Sequence, residues 1–396
     1  MTDILKGLTV LDLTQNIAGP FCTQLLGDFG ADVIKIERPG GGDDARQWVP
    51  PASHGIGTAF LSVNRNKRSV GIDIASSEGR DVVRRLAGKV DVLVHSVRPG
   101  SLEARGLGYE DLRAANPHLV YCAISAFGHT GPLMRDAGYD PLIQAFTGIM
   151  SATGHADRPP ARVGVSIIDM GTGLWAFIGT LAALYQRKDS GQGANVQTSL
   201  METGVNWMSL LLGQYMGAGV IAGRNGDLTP MSSPYEAFKT RDGAVLITAG
   251  NDKLFAAVCR ALGLPDLAGD PRFADNRRRV ENRPQLHTLL EARTAAMGST
   301  ECVALLREVG APCSIINSVD AVHANEQVAA MGMIRPLPAP HVPDFRTVDL
   351  PVSINGQKAS LRHAPPLLGA STDEVLRWAG YSAAEIAALR ACKAVG

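Results

Sequence analysis

Leu8-Thr9-Val10-Leu11-Asp12-Leu13-Thr14-Gln15-Asn16-Ile17-Ala18-Gly19-Pro20 decides the fold. Residues 8–14 form an apolar run of strand length. Proline at position 20 then suits the first turn of a helix, where its missing N–H costs nothing. Phe21, Leu25, Leu26 and Phe29 recur at helical spacing over residues 20–29, and residues 31–37 read as a second strand. Further strands are expected at 69–74, 91–97 and 119–126, with helices at 78–89 and 109–116 between them. Strand–helix–strand alternation with apolar strands predicts an α/β fold: a Rossmann-like parallel sheet covered on both faces. The turn after the first strand lacks Gly-x-Gly-x-x-Gly, so NAD or FAD binding is not expected.

Beyond this sheet, apolar helices are expected at 170–187 and 201–219, separated by a strand at 194–200. Residues 222–234 are rich in Gly, Ser, Pro and Asn and read as a linker. A smaller α+β domain follows, with a strand at 243–249 and helices at 252–262, 284–297 and 300–308. The expected boundaries are 1–221 for the first part of the large domain, 222–310 for linker and small domain, and 311–396 for the return into the large domain. Two domains suit a chain of 396 residues.

Lys plus Arg and Asp plus Glu number 38 each, which leaves no basic excess for nucleic acid or acidic lipid. The amino terminus carries no apolar run of the signal-peptide kind. Residues 171–185 and 208–223 are the most apolar stretches, and both fall short of the roughly 20 residues that span a bilayer. Six scattered cysteines and nine histidines form no ligand spacing, so neither a disulfide framework nor a metal site is expected. These features together predict a reduced, cytoplasmic protein with no membrane or nucleic-acid partner.

Chemistry concentrates in Arg162-Val163-Gly164-Val165-Ser166-Ile167-Ile168-Asp169-Met170-Gly171-Thr172-Gly173-Leu174-Trp175. Asp169 falls where an extended segment meets an apolar helix, in the positive end of the macrodipole. That position is expected to keep the carboxylate ionised, whether as a cap or as a nucleophile. Gly164, Gly171 and Gly173 suit either the approach of a bulky ligand or tight helix packing. Asp140 reads as a cap for a helix at 141–146.

Several separated segments resemble the class III CoA-transferase family, the group of formyl-CoA transferase and carnitine CoA-transferase. They are Val10-Leu11-Asp12-Leu13-Thr14 with Ala18-Gly19-Pro20, Gly30-Ala31-Asp32-Val33-Ile34-Lys35-Ile36-Glu37-Arg38-Pro39, and Asn64-Arg65-Asn66-Lys67-Arg68-Ser69. Arg98-Pro99-Gly100, Thr130-Gly131-Pro132, Gly138-Tyr139-Asp140, the Asp169 segment, and Ala364-Pro365-Pro366-Leu367-Leu368-Gly369 with Thr372-Asp373-Glu374-Val375-Leu376 continue the match. Their order covers nearly the full chain. The resemblance implies transfer of CoA from an acyl-CoA, with succinyl-CoA the expected donor, to a small carboxylic acid. Asp169 would pass through an acyl anhydride and an aspartyl–CoA thioester. CoA is then a substrate, with no tightly bound cofactor. It also implies an interlocked homodimer.

By the same resemblance, Asn16, Ala18, Arg38, Ile72, Ser96, Val97, Arg98, Arg105 and Tyr139 bind CoA, while Ile17, Trp48 and Tyr139 line the acyl pocket. Trp48 suits buried packing equally well, and each arginine suits a solvated surface role. Arg46 and His54 are candidates to pair with a second substrate carboxylate. Formyl-CoA transferase has glutamine at the position of Ile17 and a glycine-rich loop absent around Thr248-Ala249-Gly250-Asn251-Asp252, which argues against formyl or oxalyl chemistry. Ala75 and Ala104 stand where it has a lysine and an arginine.

Two alternatives share the pattern. An α-methylacyl-CoA racemase needs a histidine base where this chain has Tyr139, and phenol is a poor base near neutral pH. In a non-catalytic CoA-binding subunit, Asp169 would be structural.

Overall fold

The computed structural model describes residues 3–396. They divide into two compact units, one of residues 3–149, 163–217 and 327–396, the other of residues 150–162 and 218–326.

The first unit is built on six parallel strands: β1 (Thr9–Leu13), β2 (Asp32–Glu37), β3 (Lys67–Gly71), β4 (Val92–His95), β5 (Val120–Ser125) and β6 (Asn195–Ser199). They lie in the order β3-β2-β1-β4-β5-β6. The sequence therefore enters at the centre, builds outward to one edge, then reverses, which is the Rossmann order. Alternate side chains of each strand feed two cores. Val10, Val33, Val92, Val94, Val120 and Cys122 face one core, with α1 (Ala18–Asp28). Leu11, Ile34, Val70, Leu93 and Tyr121 face the other, with α2 (Ser77–Ala87). Burial on both faces explains why the inner strands β4 and β5 read as near-continuous apolar runs rather than alternating, whereas the edge strand β6, Asn-Val-Gln-Thr-Ser, is only partly buried.

β3 starts two residues earlier than its apolar pattern suggests, at Lys67, because that lysine is itself buried. Its Nζ lies 3.1 Å from Asp12 and donates to Asn64 and the Pro20 carbonyl, at 2.8 Å each. Lys35 is likewise buried, 2.9 Å from Asp43 and 2.9 Å from the Thr14 carbonyl. Burial alone would raise the Asp12 carboxyl, but the Lys67 and Lys35 ammoniums bring it to about 2. Burial likewise lowers Lys67 to about 8, while for Lys35 the pull of Asp43 and Asp12 prevails and holds it at about 12. These charges fix the chain on either side of the β1–α1 turn.

After β5 come α3 (Asp140–Phe146) and the 24-residue α4 (Ile167–Ser190). Phe177 of α4 stacks on Phe29 at 5.4 Å. α4 extends beyond the apolar stretch read from the sequence and is long and apolar enough to cross a membrane by length and composition alone. Half of its most apolar window is buried inside the unit. The helix expected at 201–219 is two helices, α5 (Leu200–Trp207) and α6 (Ser209–Ala218), interrupted at Met208. The last residues return to β3: Gly71 N–H donates to Thr372 Oγ1 at 3.0 Å, and Gly369 N–H to Ser69 Oγ at 2.9 Å.

The second unit carries an antiparallel sheet of β7 (Tyr235–Thr240), β8 (Gly243–Thr248) and β9 (Cys313–Ile315), with β8 central. Helices α7 (Asp252–Ala261), α8 (Arg283–Thr294) and α9 (Ser299–Glu308) supply Phe255, Val258, Leu286, Leu290, Val303 and Leu306 to its core. This division differs from the sequence boundaries in two places, besides resuming at residue 218 rather than 222. β9 pairs with β8, which keeps the chain in this unit past residue 311. Residues 150–162 join it because Gly226 N–H donates to the Gly154 carbonyl and Arg224 donates to the carbonyls of His155, Ala156 and Arg158.

Candidate active site

A cavity of about 440 Å³ opens beyond the carboxyl ends of β1, β4 and β5. The chain runs outward in opposite directions from β1 and β4, so their ends leave a crevice where open α/β sheets gather ligands. Gln15, Asn16, Ala18 and Gly19 supply one wall, and Ser96, Val97, Arg98 and Pro99 another. Ser125, Ala126, Gly138, Tyr139, Asp44, Trp48 and Asp169 also line it.

The wall after β1 is held by hydrogen bonds on both sides. Gln15 N–H donates to Ser96 Oγ and Asn16 N–H to Asp43 Oδ1, each at 3.0 Å. Asn16 sits in the left-handed region at φ +68°, which asparagine tolerates better than most side chains. A Cβ on Gly19 would lie 2.4 Å from Thr14, so only glycine permits this turn.

Of the residues singled out in the sequence, Asn16, Ala18, Trp48, Ser96, Val97, Arg98, Tyr139 and Asp169 meet on this cavity; Ile17, Arg38, Ile72 and Arg105 do not. Ile17 is the residue preceding α1. Ile72 is buried in the sheet core, bridged to Val395, and Ile74 reaches the cavity instead. Arg38 is exposed and paired with Asp44 at 2.6 Å, while Arg105 donates to Ser101 Oγ and the Ser101 carbonyl. Among the described residues, Arg98 is the one cation on the cavity wall, and no histidine lines it.

Trp48 is exposed rather than buried. Arg46 is committed to Glu37 through two bonds of 2.7 Å, and His54 lies 2.7 Å from Asp344. The Arg46 pair is buried and the His54 pair exposed, and neither residue lines the cavity.

Asp169 stands in the first turn of α4, but its surroundings differ from those expected. The amides of that turn are taken by another carboxylate: Ile168 and Asp169 N–H donate to Asp140 Oδ2 at 2.7 and 3.2 Å. Asp140 thus serves α4 from α3, rather than capping its own helix, which Tyr139 precedes. Asp169 is left half-buried, without those donors, beside a second negative charge. Burial first, and then the Asp140 charge, push its carboxyl up to about 7. The sequence expectation of a carboxylate held firmly ionised by the helix is therefore corrected: the dipole's donors stabilise Asp140. A carboxylate poised near neutrality is a stronger nucleophile than one held at the ordinary value, and enough remains ionised at neutral pH to react.

The flanking glycines divide as well. A Cβ on Gly171 would meet Trp207 at 2.8 Å, and one on Gly173 the Ala18 carbonyl at 2.5 Å, so both serve helix packing. Gly164 faces open space.

A family model described as CoA-transferase family III matches residues 5–372. The chain belongs to that family. It is 40% identical over 94% of its length to the mouse succinyl-CoA:glutarate CoA-transferase, covering 86% of that protein. It is 35% identical over 94% of its length to the Chloroflexus aurantiacus succinyl-CoA–D-citramalate CoA-transferase, covering 92% of it. A solved CaiB/BaiF family protein from Brucella suis superposes with a TM-score of 0.88 at 37% identity, over 95% of this chain and 99% of the other. The chain is accordingly a CoA-transferase of family III, with CoA thioesters as substrates.

Sequence reading did not find Gln15, Asp44 and Asp136 on the wall, nor Gln144 behind it. The one available signal was the spacing of Asp140 and Gln144, four apart on one helix face.

Proposed function

We propose that this CoA-transferase takes succinyl-CoA as donor and a dicarboxylic acid as acceptor, with Asp169 carrying the acyl group. The observation that carries the reading is a single half-buried carboxylate, pushed to about 7, on the wall of a cavity at the strand ends. An Asp169 oxygen attacks the thioester carbonyl, the C–S bond breaks, and CoA leaves as thiolate from a mixed anhydride. The thiolate attacks the aspartyl carbonyl, the anhydride C–O bond breaks, and the first acid departs. The acceptor carboxylate then attacks the aspartyl–CoA thioester and expels thiolate. The thiolate takes the acceptor's acyl group and frees Asp169. Bound CoA keeps its thiolate at high effective concentration throughout.

Arg98 is the phosphate partner on the wall, where a guanidinium fork suits two oxygens. Arg38 joins it by exchanging Asp44 for a phosphate. Asn16, Ala18, Ser96 and Val97 shape the CoA channel, and Tyr139 and Trp48 its acyl end. The absence of an imidazole from the described wall favours acyl transfer over racemisation.

Relatives named for succinyl-CoA with glutarate or D-citramalate support this donor and a dicarboxylate acceptor. With a panel of acids, succinyl-CoA plus glutarate should exceed succinyl-CoA plus formate or oxalate by about tenfold or more in kcat/KM, the discrimination one good contact supplies. Equal rates across the panel would remove the substrate assignment.

The reading includes a homodimer, interlocked as the family resemblance implies, in a reduced cytoplasmic setting without a membrane partner. Trp175, Ile178 and Tyr185 of α4, Trp207 of α5, and Leu210, Tyr215 and Met216 of α6 are exposed in the single chain. So much apolar surface on neighbouring helices calls for a partner, and a second copy is the occupant assigned here. Light scattering should give twice the chain mass even at nanomolar concentration; a monomer there would contradict it.

A further inference from the structure

We infer that Gln144 is a positioning residue, whose side-chain amide locks the first turn of α4 and the segment leading into it onto α3. The inference rests on Asp169 being the acylated group. Gln144 is fully buried. Its Nε2 donates to Asp140 Oδ1 at 2.5 Å, and its Oε1 accepts from Val163 N–H at 2.8 Å. Nε2 also lies 3.5 Å from the Val163 carbonyl, at the outer limit of a bond.

The two strong bonds fix the amide's orientation, since a carboxylate oxygen only accepts and a backbone N–H only donates. Through Asp140 the amide reaches the α4 turn, because Asp140 Oδ2 takes the N–H groups of Ile168 and Asp169. Through Val163 it holds the chain where it re-enters the first unit, six residues before Asp169. One side chain thus pins the nucleophile's backbone at two points. Neither an apolar side chain nor a carboxylate can make both bonds, and a buried Asp140 oxygen or Val163 N–H left alone would shift to find a partner.

Gln144→Met should lower kcat for exchange by about 10- to 100-fold, the usual consequence of misplacing a reacting group by an ångström or so. KM for acyl-CoA should stay within about threefold, because CoA is gripped elsewhere on the wall. Gln144→Glu keeps the acceptor for Val163 but turns a second carboxylate on Asp140, and should lose at least as much. Either variant, folded and binding CoA, with kcat within twofold of the wild type would overturn the inference, provided Asp169→Ala is inactive. An active Asp169→Ala would instead sink the nucleophile assignment. If both Gln144 variants misfold, hydrogen exchange on the unmodified protein decides. The Val163 amide should be protected as strongly as amides inside α4; exchange at the rate of a free loop would refute the clamp.

Discussion

Asp169→Ala should lower CoA exchange by about a thousandfold or more while leaving CoA bound, because it removes the only atom proposed to bond covalently to the substrate. Asp169 is one residue of a wall built largely from the loops after β1, β4 and β5. Equilibrium binding of CoA to the variant should therefore change little. Structural damage is not expected either. The N–H groups of the α4 first turn are bonded to Asp140, not to Asp169, so the alanine leaves the helix start intact. Calorimetric titration beside the exchange assay separates the two effects. Loss of CoA binding in parallel with activity would make Asp169 a structural or binding group.

The second large effect concerns pH. An ionised Asp169 is required for attack, and its carboxyl lies at about 7, raised by burial and by Asp140. The kcat/KM profile, which reports the free enzyme, should accordingly rise with pH through about 7 and fall about tenfold per unit below it. Asp140→Asn removes the neighbouring charge but not the burial. The acidic limb should move to lower pH by about one unit, yet stay above the ordinary aspartate value. The maximal rate should also fall, since an asparagine cannot accept from Gln144 and from the α4 amides with both of its side-chain heteroatoms. An unshifted limb in Asp140→Asn would mean that another group governs the profile.

The sheet was legible because its inner strands are buried on both faces, so apolar runs such as Val92–Val94 and Val120–Ile124 announce themselves without tertiary knowledge. Where β3 begins was not legible, because Lys67 looks like a surface residue until Asp12, 55 positions earlier, is known to face it. The segment at 150–162 hid for a similar reason: its bonds to Arg224 and Gly226, about 70 positions later, reveal to which unit it belongs. At the site, the residues on the loops after β1 and β4 that the family resemblance named line one cavity, since fold order brings those strand ends together. The state of Asp169 was misjudged because helix starts offer a fixed number of amides, and a sequence does not say which carboxylate takes them. Arg38 and Arg46 show the same gap, each being half of an ion pair whose other half decides what it is free to do.

The central claim is that Asp169 becomes covalently acylated in turnover. The most direct measurement is mass spectrometry of the Asp169 peptide from a reaction with succinyl-CoA and acceptor acid, quenched with hydroxylamine during the steady state. A hydroxamate at Asp169, absent without acyl-CoA and abolished by Asp169→Ala, is the expected result. An unmodified peptide from enzyme turning over at full rate would contradict it.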